Sequence, residues 1–295
     1  MIHRDLLRFD GAKYLWWSFV LVAISIAVYA SQSATRPHNG GSWQGYVLGS
    51  IGALLILWLT ALGIRKRSYR SNLGSVQGWT SAHIYLGTAL IVVATLHCGF
   101  EFGWNVHTLA YALMCVVVIS GLFGLYTYLS RPGAIARNRE GATRAALFAE
   151  LFELDQTVRQ RAAKCDPAIA LAVSSGTERA VLGGGPLAQV FARDRSWFVR
   201  ADESGTGSAL TPNRDQQPLI DFVASRLPRA GKGSEAAVLQ ELVVLLCRRQ
   251  VVIRRIRRDI ALQSSLKIWL FVHVPLTAAL LGALVLHIVS TFAYW

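Results

Sequence analysis

The chain has 295 residues, of which 53% are hydrophobic and only 16% charged, and its mean hydropathy is +0.38. That balance excludes an ordinary soluble domain and a disordered polar chain, and it fits a membrane protein. The net charge of +13 would suit nucleic acid, but the basic residues sort by loop in a way that makes nucleic acid unnecessary.

Five long apolar runs cover about 14–34, 46–64, 81–100, 107–129 and 266–293. Each is near or above the roughly 20 residues that cross a bilayer as a helix. They are continuous and not alternating, which argues against barrel strands. Residues 1–34 resemble a secretory leader, with basic residues, an apolar core and then Ala-Ser-Gln-Ser-Ala. The run is long for that, so a retained first helix is expected.

Pro132-Gly133 marks the predicted exit from the fourth helix. The segment 143–164 has apolar residues at helical spacing: Leu147, Leu151, Leu154, Val158 and Ala162. Residues 170–215 mix β-like pieces such as SWFVRA with Gly- and Ser-rich turns. Residues 234–262 read as one long helix, apolar first and Arg-rich later, with no clear breaker before the fifth span. The triple glycine at 183–185 lacks the strand–loop–helix setting of a phosphate loop and reads as a loop. The expected organisation is 1–129 for the first four helices, 130–265 for a mostly helical cytoplasmic insert, and 266–295 for the fifth helix. The fold class is an all-α membrane protein.

The Lys and Arg counts alternate along the chain. The leader 1–13 has three (Arg4, Arg8, Lys13) and loop 35–45 has one, Arg36. Loop 65–80 has four (Arg65, Lys66, Arg67, Arg70), and loop 101–106 has none. The insert with Lys267 holds the other twenty-two. By the positive-inside rule the amino terminus and the insert are cytoplasmic and the carboxyl terminus is outside. The expected location is the inner membrane of a bacterium.

Four of the seven histidines lie inside predicted spans: His83 and His97 on the third, His273 and His287 on the fifth. In each pair the separation is fourteen residues. At about 100° per residue that is some 40° short of four turns, so both rings leave one face, about 21 Å apart along the axis. The charge pattern makes these two helices parallel. His83 and His273 then share an inner depth, and His97 and His287 an outer one. Two axial imidazoles at each depth are what an electron-transferring haem iron takes. Ionisable groups inside a span are usually functional.

Small residues repeat at the same pitch. Gly49 and Gly63 are fourteen apart on the second helix, as are Ala110 and Gly124 on the fourth, with Gly121 nearby. They would let a flat macrocycle approach each backbone, although membrane helix packing favours small residues in any case. The basic group Arg65, Arg67 and Lys267 sits at the inner ends of the spans, where it either sets orientation or pairs with haem propionates. His107, at the outer mouth, reads as an interfacial residue, with the lining of an outer haem edge or a quinone pocket as the alternative, and His3 and His38 read as solvated. Trp16, Trp17, Trp43, Trp104 and Trp295 read as interfacial belt residues. Pro275 is expected to bend the last helix near His273. The four cysteines form no CxxC or CxxCH, so no iron–sulfur or c-type haem site is signalled. No carboxylate pair lies in a span, and nothing suggests hydrolysis.

The paired histidines and the glycine pair resemble the di-haem cytochrome b superfamily. That superfamily includes the cytochrome b of quinol–cytochrome c reductases and ferric-reductase-like membrane domains. The resemblance covers the second to fifth helices and rests on His83, His97, His273 and His287, with Gly49 and Gly63 in support. It implies a haem-binding bundle with two b haems, an inner one on His83/His273 and an outer one on His97/His287. There are departures as well. No Pro-Glu-Trp-Tyr quinol motif is present, and only eight residues follow His287, so flavin and nicotinamide domains are expected to be missing. The insert belongs to neither pattern.

The expected function is therefore transmembrane electron transfer, as the cytochrome b subunit of a respiratory-type oxidoreductase without a complete catalytic site of its own. Expected partners are an iron–sulfur or flavin subunit at the cytoplasmic insert, and a c-type cytochrome or quinone outside, in a lipid membrane and with no nucleic acid. The alternatives are a stand-alone reductase of external metal or oxygen, a His-lined proton or metal transporter, and a membrane anchor or sensor.

Overall fold

The computed structural model describes residues 6–32, 40–68, 72–191, 193–201, 208–230 and 234–293. His3, Arg4, Arg36, His38, Arg70 and Trp295 lie outside the described residues. Nine α-helices and two strands are described: α1 Phe9–Ala30, α2 Trp43–Arg67, α3 Val76–Cys98, α4 Val106–Arg139, α5 Arg144–Ala162, α6 Pro167–Glu178, α7 Pro186–Val190, β1 Trp197–Ala201, β2 Ser208–Pro212, α8 Gln217–Ala224 and α9 Ser234–Ala293. Five of these helices are long and apolar enough to cross a membrane, in keeping with an all-α membrane protein. The chain divides into two units, one joining Met1–Leu129 to Trp269–Trp295 and the other formed by Ser130–Ile268.

The first unit is built from α1, α2, α3, the apolar part of α4 and the end of α9. Each start has a local cause. The Ser42 hydroxyl accepts from Gly45 N–H at 3.0 Å, Ser75 accepts from Gly78 N–H at 3.1 Å, and Asn105 accepts from Thr108 N–H at 2.9 Å. The α3 helix stops where Gly99 takes a left-handed φ of 60°. In α1, Asp10, Gly11 and Ala12 all have positive φ, so the regular helix begins only after them. Large apolar side chains cover the outer faces: Trp17, Leu54, Ile119, Phe271 and Phe292 are exposed. A hydrocarbon solvent makes that distribution favourable, whereas water would not.

The buried centre of this unit is aliphatic. Ile56 and Leu59 of α2, Leu90 of α3, Met114 of α4 and Leu280 of α9 form one cluster. Leu90 is the residue midway between His83 and His97, and Leu280 is midway between His273 and His287. The cluster therefore forms a dry layer between two histidine levels.

The second unit has its own core. The buried face of α5 consists of Leu147, Leu151, Leu154, Val158 and Ala162, at the helical spacing of the sequence pattern. The Thr143 hydroxyl caps this helix, accepting from Ala146 N–H at 3.1 Å. Asp166 caps α6, accepting from Ala168 N–H at 2.7 Å, with Pro167 at the first helical position. The strands β1 and β2 pair antiparallel, from Trp197 opposite Pro212 to Ala201 opposite Ser208. Phe198 of β1 packs with Val173 of α6, Phe222 of α8 and Leu242 of α9. Leu151 and Leu154 close on Ile253 and Ile256 further along α9. Phe198 is 1% exposed, so Phe198→Ala is expected to cost about 3–5 kcal/mol, read as a lowered unfolding midpoint of the purified chain.

Two helices run past residues that usually interrupt them. The α4 helix continues through Pro132 to Arg139, beyond the exit expected at Pro132-Gly133. Proline removes one ladder hydrogen bond and crowds the preceding turn. The segment after it is held from outside: Asn138 donates to the Arg255 carbonyl at 2.8 Å, and Arg139 makes a two-pronged bond to buried Asp259 at 2.7 and 3.0 Å. The α9 helix runs unbroken for 60 residues, through Pro275. Its Arg-rich stretch is not a solvated stripe. Arg249 is 1% exposed and donates to Asp155 at 2.5 Å and to Gln216 at 2.7 Å.

Candidate functional site

The four histidines of the spans occupy the first unit at two levels. At one end, His97 of α3 and His287 of α9 bring their rings to 5.9 Å between centroids, nearly perpendicular at 79°. At the other end, His83 and His273 are within electrostatic reach of each other, and Lys66 is within reach of both. Two parallel helices place equivalent positions at equal depth, which is why residues fourteen apart on each meet their counterparts.

Each ring is oriented by the helix antiparallel to its own. The His83 Nδ1–H donates to the Leu59 carbonyl at 3.0 Å, and the His97 Nδ1–H donates to the Gly45 carbonyl at 2.7 Å. A carbonyl can only accept, so both rings carry their proton on Nδ1 and leave a lone pair on Nε2. His273 reaches the same state by another route. The Ser120 hydroxyl donates to the Val117 carbonyl at 2.8 Å, which leaves its oxygen to accept from His273 Nδ1–H at 2.7 Å. His287 Nδ1 lies 2.6 Å from Nδ1 of His107, with one ring donating to the other. No Nε2 of the four has a hydrogen-bond partner among the described residues.

The spacing of the orienting groups matches that of the histidines. Gly45 and Leu59 are fourteen apart on α2, and His107 and Ser120 thirteen apart on α4. Two antiparallel helix pairs, α2 with α3 and α4 with α9, thus repeat one device. Each histidine-bearing helix meets two polar groups of its neighbour at nearly the same pitch. A bond of this kind to Nδ1 holds the ring's orientation and, where the partner accepts, fixes its tautomer.

The small residues have individual roles. Gly49 lies against His97, and a methyl there would sit 2.7 Å from the ring Cε1. Gly124 lies under the indole of Trp269, whose Cε2 would be 2.0 Å from that methyl. The indole N–H donates to the Ser120 carbonyl at 2.7 Å, and the ring lies 5.4 Å from that of His273. So the notches at Gly49 and Gly124 hold side chains of the chain itself. Gly63 faces open space, a methyl at Gly121 would sit 3.5 Å from His273 Cε1, and Ala110 is half-buried.

Of the basic residues, Arg65 is engaged with the loop that follows α2. It donates to the Ser68 and Gly74 carbonyls at 3.0 and 2.6 Å, and its Nε is buried without a partner. Arg67 is exposed. Lys267 is exposed and belongs to the second unit. His107, which the sequence places at the outer mouth, bonds His287, while Ser120 and Trp269 lie outside the histidine pattern. The thirteen-residue step from His107 to Ser120 was the available signal. The backbone acceptors at Gly45 and Leu59 have none.

Among the described residues, no group of three or more His, Cys, Asp or Glu gathers as a metal-ion cluster. No family model, curated protein or solved structure matches the chain.

Proposed function

We propose that this chain is a membrane cytochrome b of the di-haem type, conducting electrons from one face of the bilayer to the other. The observation that carries the reading is the state of the four span histidines: every Nδ1 is engaged by a neighbouring helix, and among the described residues no Nε2 has a hydrogen-bond partner, at either of two depths. A proton-carrying histidine would need both ring nitrogens in exchange, whereas His83 and His97 are locked by carbonyls that cannot donate.

The donor set fits haem. The rings of His97 and His287 stand 5.9 Å apart with neither Nε2 bonded among the described residues, so that pair could hold one metal centre between them. His97 and His287 would hold one haem b, and His83 and His273 the other. When bound, the two groups supply one-electron transfer. The chain does the rest. Leu59, Gly45, Ser120 and His107 hold the rings in register, and the Ile56, Leu90 and Leu280 layer keeps water from following the electrons. Lys66 supplies positive charge beside the His83/His273 level. On the charge pattern of the loops, that level is the cytoplasmic one. The insert is then the surface for an iron–sulfur or flavin subunit, and the opposite end meets a c-type cytochrome or a quinone.

The test is a reduced-minus-oxidised visible spectrum of the purified full chain with a haem-to-protein ratio. Two b haems per chain are expected. A chain purified from haem-replete cells without haem would overturn the reading.

A further inference from the structure

The second unit holds a cavity of about 480 Å³ that electron transfer does not use. Four guanidinium groups line it, Arg131, Arg254, Arg257 and Arg258, together with the carboxylates of Asp194 and Asp215. Both carboxylates are already engaged. Arg257 donates to Asp194 at 2.5 Å, and Arg254 makes a two-pronged bond to Asp215. Arg131 and Arg258 have no ion pair among the described residues, and Arg131 Nε is buried without a hydrogen-bond partner. The cavity is left with two uncommitted positive charges. A smaller cavity of about 350 Å³ shares Arg254 and Arg258 and adds Arg137, with Arg255 paired to Glu140, so the positive surface continues along α4 and α9.

Its position along the chain says what kind of anion it meets. Arg131 stands two residues beyond the apolar run 107–129, and Ser265, also on the cavity wall, directly precedes the run 266–293. The α4 and α9 helices are unbroken through these positions. At about 1.5 Å per residue, both wall residues are within a turn of a span end. The remaining wall includes Val190, Ala261 and Leu262, which suit the apolar start of a lipid better than a free ion.

We infer that this cavity binds the phosphate of an anionic phospholipid headgroup, with Arg131 and Arg258 as its charge-assisted donors. Guanidinium groups beside span ends favour anionic lipid, and their planar donors match phosphate oxygens. The inference needs the membrane spans but not the haems, so either can fail alone.

The experiment is native mass spectrometry of the full chain in neutral detergent, titrated with dioleoylphosphatidylglycerol, dioleoylphosphatidylcholine or glycerol 3-phosphate. Retention of the phosphatidylglycerol is expected, with little of the phosphatidylcholine. Arg131→Gln with Arg258→Gln should weaken phosphatidylglycerol binding about 30-fold, at about fivefold for each basic residue near anionic lipid. Arg258→Glu alone, at an exposed position, should weaken it by more than about fivefold and decides the matter should the double variant not fold. Arg179→Gln, an exposed cation elsewhere in the unit, should change nothing. Unchanged binding in the Arg258→Glu variant, or equal retention of both lipids, would overturn the inference. So would binding of glycerol 3-phosphate as tight as that of phosphatidylglycerol, which would make this a site for soluble phosphate.

Discussion

His97→Ala is expected to lower the haem content of the purified chain from two to one while leaving the other level loaded. The variant removes one of the two imidazoles that meet at 5.9 Å and touches nothing at the level of Leu59, Ser120 and His273. His273→Ala should do the same at the opposite level. The aliphatic layer of Ile56, Leu90 and Leu280 separates the levels, so the two losses should be independent. Each remaining haem should keep its own midpoint in a redox titration. A milder series tests the orienting groups. Ser120→Ala leaves His273 Nδ1–H without its acceptor, and loss of a group that orients a ligand histidine typically weakens metal binding about 10- to 100-fold. Two haems retained in His97→Ala would show that this residue is not a ligand. Loss of both in any single variant would mean that the bundle forms only around the complete set.

Asp155→Ala is expected to destabilise the second unit by about 3–5 kcal/mol, the usual cost of stranding one partner of a buried ion pair. Arg249 is 1% exposed and, among the described residues, bonds Asp155 and Gln216 alone and has its second terminal nitrogen buried without a partner. Removing the carboxylate leaves a cation with no access to water. Arg249→Met combined with Asp155→Leu should recover much of the loss, because a matched apolar pair carries no desolvation cost. The contrast is Glu150→Ala. Its partner Arg248 is 64% exposed and the carboxylate 36%, so the expected change is within about 1 kcal/mol. Thermal melting of the full chain in detergent gives the order. Equal shifts for Asp155→Ala and Glu150→Ala would show that the buried arginine carries no special weight.

Much of the local structure was legible from residue spacing. The five spans follow from apolar run length alone. The buried face of α5 follows from Leu147, Leu151, Leu154, Val158 and Ala162 recurring at helical pitch, and the continuity of α9 from the lack of a breaker after Ser234. Periodicity is a property of one helix, so one helix's letters suffice to state it. The histidine pairs were visible for the same reason, as two equal intervals on two helices.

What the sequence by itself determined, then, is which segments are apolar enough to enter a bilayer and which faces of them carry imidazole. Tertiary structure decided what each imidazole is bonded to. The acceptors at Gly45 and Leu59 are backbone carbonyls, which no residue type announces. The notches at Gly49 and Gly124 are equally small in the sequence, yet the ring of His97 and the indole of Trp269 fill them, because only packing assigns a neighbour to a gap. The basic run of α9 reads as one block of charge; the fold divides it into Arg249 and Arg257, buried on carboxylates, and Arg258, left free. Helix passage through Pro132 depends likewise on Asn138 and Arg139 finding partners more than a hundred residues away. Spacing along the chain fixes direction around a helix axis, but hydrogen-bond completion and filled volume depend on what lies opposite, and that is set only when the helices meet.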